Sequence, residues 1–139
     1  MILDRTKLTQ LVYGAALLGS GGGGAIQTGL SFVDLIMENT GNQGVPLLSF
    51  PDNAELPDLT GCVLCDIGAI TAIESNQAAA IKNAYTQMDI YYRAMQQRNI
   101  GALLPIETGP ENTLAPFVMA SYKHLPVIDA DGAGRAVPE

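Results

Sequence analysis

Apolar residues along this chain fall into two kinds of run, one stepping by three and four and one continuous. Leu8, Leu11, Val12 and Ala15 share a face at helical spacing, and Gly19 closes the helix they predict. Ile26, Leu30, Val33 and Met37 repeat that spacing, so a second helix starts just after the glycine-rich loop 20–24 and ends near Asn39. Residues 45–50 form a short apolar run that predicts a strand, with Pro46 tolerated at its start or at an edge. Residues 62–67 predict a second strand between Gly61 and Gly68. Ser75 is placed to cap the longest helix, whose apolar face reads Ile81, Tyr85, Met88, Tyr92 and Met95. Tyr91 falls off that face and suits an interface. Residues 100–106 are the third strand, Asn112 or Thr113 caps a fourth helix with Pro116 in its first turn, and 125–128 is the last strand.

The strand runs are continuous rather than alternating, as expected where both faces of a sheet are covered. Right-handed crossovers make the last three strands parallel. The pattern therefore predicts an α/β three-layer sandwich. Its mostly parallel sheet of about four strands carries helices on both faces and is preceded by two N-terminal helices joined by the glycine-rich loop. A length of 139 residues suits a single domain over 1–139.

Composition adds a constraint on partners. Charged residues make up only 15% of the chain against 47% apolar, where about a quarter charged is usual. Surface covered by a second copy, a C-terminal domain or a partner subunit accounts for the shortfall. Seven Lys and Arg against 14 Asp and Glu give a net charge of −7 with no basic cluster, which excludes a nucleic-acid backbone as partner. No apolar stretch reaches the ~18 residues of a membrane span, so no membrane partner is expected. Asp4 stands where a signal peptide carries only positive charge, and Cys62 and Cys65 have no secretory context. A cytoplasmic protein with reduced thiols is expected.

In parallel sheets, ligands bind beyond the carboxyl ends of the strands. Those ends here carry Asp66 before Gly68, Glu107 before Gly109, and Asp129 and Asp131 before Gly132. Carboxylates crowded at one edge raise one another's pKa, hold a divalent metal or pair with a cation such as Arg135. Ordinary turn chemistry is the competing reading for each. Ser20, Gly21, Gly22, Gly23 and Gly24 lead into a helix N-terminus, which suits a cradle for an anion or carbonyl. A tight link between two helices is the alternative. The loop lacks the preceding strand of a dinucleotide fingerprint and the lysine of a P-loop. Cys62 and Cys65 lie three apart in a strand pattern and so face opposite ways, as buried structural thiols rather than a redox or zinc pair. His124 belongs at the end of the fourth helix.

No Ser-His-Asp or Cys-His set can be assembled. An enzyme built on this chain would use Glu107, Asp129 or Asp131 to activate water, and Arg135 or the glycine loop to steady an oxyanion. The small-molecule substrate would then be a polarised carbonyl or thiocarbonyl compound. A non-catalytic ligand-binding or subunit-interface domain is the second reading. A divalent metal at Glu107, Asp129 and Asp131 is a third.

Three motifs carry a family resemblance: the glycine run 19–24, Glu107-x-Gly109-x-x-Asn112, and the terminal Asp129-Ala130-Asp131-Gly132-x-Gly134-Arg135-Ala136-x-Pro138-Glu139. In this order and spacing they resemble the N-terminal domain of the S-methyl-thiohydantoin desulfurase-like family, over essentially the whole chain. The resemblance implies an α/β domain followed by a second, mostly β, swivelling domain. It also implies a cytoplasmic hydrolase-type enzyme acting on a hydantoin-like cyclic amide or thioamide, in the company of hydantoinase and oxoprolinase proteins. Glu107, Asn112, Asp129, Asp131, Arg135 and Glu139 are the positions it carries over as site residues. The chain departs from the family pattern at Pro110, where a second glycine is usual, at Ile70 in place of proline, and at Ser75 in place of lysine.

Overall fold

A computed structural model of the chain describes residues 1–49, 60–65 and 76–136. Among them, β1 (Ile2–Leu3), α1 (Arg5–Gly19), α2 (Ile26–Asn39), β2 (Val45–Ser49), β3 (Thr60–Leu64), α3 (Gln77–Tyr91), β4 (Ile100–Pro105), α4 (Ala115–Lys123) and β5 (Val127–Asp129) follow one another. The five strands form one sheet in the order β1-β2-β5-β4-β3, parallel except for β1, which runs antiparallel to β2. The mixed α/β class and the mostly parallel sheet agree with the sequence pattern. The fifth strand does not: β1 has two residues, too few to show a period, and it places α1 and α2 between two strands rather than ahead of the sheet.

Helix α4 is the centre of the molecule. Every residue from Ala115 to Ser121 is buried, as befits a helix apolar on all sides. It lies on β2, β3, β4 and β5, with α2 packed along one flank and α3 along the other. Asn39 Nδ2 donates to Ser121 Oγ at 3.0 Å on the α2 side. On the α3 side, Lys82 stacks 4.0 Å over Tyr122 and Lys123 sits 5.5 Å over Tyr85.

The crossovers β3–α3–β4 and β4–α4–β5 advance the same way across the sheet, so one handedness puts both helices on one face. Helices on both faces are therefore not found among the described residues. On the other face Leu104 and Ile128 approach Gly61, while Leu48 and Val63 are 39% and 43% exposed. Continuous apolar runs mark both faces as apolar. They do not say what covers the second.

Local chemistry departs from expectation at two caps and one helix face. Asn76, next to Ser75, caps α3 by accepting from Ala79 N at 3.2 Å; Ser75 itself lies outside the described residues. Leu114 occupies the cap position of α4 with no side-chain bond, because Asn112 and Thr113 are engaged elsewhere. Pro116 does sit in the first turn. Of the expected apolar face, Ile81 and Tyr85 are buried, but Met88 in α3 and Met95 beyond it are 41% and 67% exposed. A π-helical turn, Tyr92–Gln96, continues α3, and its wider winding rotates later residues off the 3.6-residue stripe.

Cys62 is buried and Cys65 half-buried, both as reduced thiols. Burial first, and the charge of Asp89 second, raise the Cys62 thiol above its ordinary 9.0, and burial likewise raises the Tyr85 phenol. The folded chain then holds these protons to higher pH than the unfolded chain. Stability from this source is complete below the unfolded thiol value and is lost as pH rises through the folded one. The urea midpoint should therefore fall as pH rises from roughly 9 to 11, less steeply in Cys62→Ala. A wild-type midpoint flat over that range would refute this.

Candidate functional site

Three loops meet beyond the carboxyl ends of the central strands. The first is the glycine loop between α1 and α2. Ser20 ends α1 in the left-handed region at φ 48°, and Gly21, Gly23 and Gly24 follow at φ 99°, 71° and 92°. Such values suit glycine and strain other residues. The second loop leaves β4 as Glu107-Thr108-Gly109-Pro110-Glu111-Asn112-Thr113. The third leaves β5 and comes to lie beside the second.

Backbone hydrogen bonds tie the three together. The Gly23 carbonyl accepts from Glu111 N at 2.9 Å and from Asn112 N at 3.1 Å. Gly132 N donates to the Ile106 carbonyl at 3.0 Å, Thr108 N to the Gly134 carbonyl at 2.7 Å, and Ala136 N to the Thr108 carbonyl at 3.0 Å. The last two flank a parallel bridge between Thr108 and Arg135. A Cβ on Gly23 would lie 2.5 Å from Gly109 Cα and 2.9 Å from Ala136 Cβ. The glycine run is thus a place where backbone passes backbone. It also leaves α2 with Ala25 at its cap position and no side-chain bond to the first turn.

Within this frame the half-buried Glu107 accepts at Oε1 from Nδ2 of the buried Asn112, at 2.7 Å. The two residues stand at opposite ends of a turn that Thr113 closes by accepting from Gly109 N at 3.1 Å. Glu111, only 5% exposed, packs its carboxylate against Gly24. Sequence reasoning passed over Glu111. Its signal was an acid between Pro110 and Asn112, at the mouth of a run with no other charge before Lys123.

Asp129, Asp131 and Arg135 reach the same edge but remain exposed. Asp131 Oδ1 accepts from Gly134 N, which is the turn chemistry weighed above. Among the described residues no ion pair joins Arg135 to a carboxylate. Nor is any group of three or more His, Cys, Asp or Glu placed there to hold a metal ion. Glu107, Asp129 and Asp131 are therefore not gathered as a divalent-metal set, since two of them end in solvent. Gly68 and Glu139 lie outside the described residues. No described helix is long and apolar enough to cross a membrane.

These features define an α/β domain with a polar, glycine-lined edge at the carboxyl ends of a parallel sheet. The chain belongs to the S-Me-THD-like family, whose N-terminal domain matches residues 6–139. A crystal structure of a protein from Chromobacterium violaceum superimposes with a TM-score of 0.78 over 99% of this chain, at 24% identity. The match covers 36% of that protein, so the present chain spans about a third of its length. No curated protein matches the sequence.

Proposed function

We propose that this chain supplies the base and the carbonyl cradle of a hydrolase-type site for a hydantoin-like cyclic amide or thioamide. The observation that carries the reading is the Asn112–Glu107 hydrogen bond at the glycine-lined edge. An amide that donates to one carboxylate oxygen fixes the plane of the carboxyl group and leaves the second oxygen to take a proton from water. Backbone N–H groups at the uncapped start of α2 are suited to the oxygen that gains negative charge when that water adds to the ring carbonyl. Arg135 stands on the strand-like segment beside Thr108 and would steady the same charge.

The edge is open along Asp129, Asp131 and Arg135. A longer relative has chain to spare for closing it, as does a second copy or partner subunit. The two reduced cysteines suit a cytoplasmic setting. The reading is tested by incubating the intact protein with hydantoin, its thiohydantoin and S-methyl-thiohydantoin analogues, and following ring opening or thiol release. No turnover of any of the three, with or without the longer relative's remaining segment supplied, would leave only a ligand-binding or interface domain.

A further inference from the structure

The opposite end of the sheet carries a second recess that the site above does not use. At the amino ends of β3 and β4, a cleft of about 470 Å³ is lined by Thr60, Tyr91, Tyr92, Gln96 and Arg98. Thr60 opens β3 and pairs with Ile100, the first residue of β4, just before a register shift at Gly61. Glu107 lies beyond the other end of β4, so the two places share a strand but no residue. The volume falls in the range of small-molecule sites, roughly 300–1,000 Å³.

The wall of this cleft is built by an irregularity. The π-helical turn Tyr92–Gln96 ends at Gln97 in the left-handed region, φ 51°, and Arg98 N returns to the Tyr92 carbonyl at 3.3 Å. Turns of this kind recur at functional sites. Tyr91 and Tyr92 stand perpendicular, with ring centroids 6.0 Å apart. This T-shaped arrangement is one that aromatic rings prefer in pairs, and both residues line the cleft. Arg98 adds a cation in a chain whose acids outnumber its Lys and Arg by 14 to 7. Its planar fork has five donors, enough to take a carboxylate bidentately beside other bonds. Gln96 and Thr60 add neutral polar groups at the rim.

We propose that this cleft is a second small-molecule site, selective for an aromatic carboxylate whose ring lies against the tyrosines and whose carboxylate meets Arg98. The inference stands apart from the hydrolase reading.

Equilibrium dialysis of the intact protein against radiolabelled benzoate tests it, with acetate as the competitor lacking a ring. One saturable equivalent is expected, at least tenfold weaker in Arg98→Gln and in Tyr92→Ala, and unchanged in Glu107→Gln. Acetate should compete at least tenfold less well than unlabelled benzoate. Gln96→Ala serves as a third variant if either of the first two unfolds, and should weaken binding severalfold. Non-saturable uptake, equal competition by acetate, binding indifferent to the cleft variants, or binding lost in folded Glu107→Gln would each overturn the proposal.

Discussion

Gly23→Ala is expected to destabilise the fold by about 2–4 kcal/mol. Two costs combine. The backbone at φ 71° strains a residue with a Cβ. The new carbon would also sit 2.5 Å from Gly109 Cα and 2.9 Å from Ala136 Cβ, where two backbones and a buried side chain must give way. Separating them breaks the bonds that the Gly23 carbonyl accepts from Glu111 and Asn112, and so loosens the turn holding Glu107. Gly21→Ala isolates the first cost. That position has φ 99° and nothing within 4 Å of an added Cβ, so about 1 kcal/mol is expected. Gly14→Ala, exposed on α1 with equally open space, removes both costs and should stabilise by roughly 0.5–1 kcal/mol. Urea unfolding of the three variants gives the ranking. If Gly23→Ala cost no more than Gly21→Ala, the loop would not be a backbone crossing.

The sequence made the helices and the parallel strands legible because each has a period that packing enforces. Leu8, Val12 and Ala15 had to share a face, as did Val33 and Met37, to bury themselves, although Ile26 at the start of the second stripe stays 38% exposed. What escaped lies where no period operates. Strand β1 is two residues long and exists through pairing with β2, 42 or more positions away. Met95 left the stripe because one π-helical turn changed the winding beneath it. Asn112 and Thr113 look like caps, yet the turn before α4 recruits both side chains for the loop. The site was legible as a place only in part: the glycine loop meets the segments after β4 and β5, whereas Asp66 and Gly68 lie outside the described residues. It was not legible as a set of contacts. Exposed Asp129 and Asp131 carry the same letters as a buried acid, and the buried one, Glu111, stands outside the repeating acid–glycine pattern.

That division of the carboxylates fixes the second large effect. Glu107→Gln should lower turnover of a hydantoin-type ring by a factor of about 100 or more, since an amide cannot take the proton of attacking water. The loss belongs in kcat, because the glutamine keeps the size of the side chain and its carbonyl can still accept from Asn112 Nδ2. Asn112→Ala leaves the base present but unfixed, and a loss of roughly tenfold is expected. Asp131→Asn keeps the oxygen that accepts from Gly134 N, so the turn survives and rates should stay within about threefold of wild type. Circular dichroism and urea midpoints on the same samples separate chemistry from folding. Should Asp131→Asn prove the damaging change while Glu107→Gln turns over normally, the base would have to be reassigned from the β4 loop to the segment after β5. The glycine crossing would then be a brace for that segment, through Ala136, rather than for Glu107.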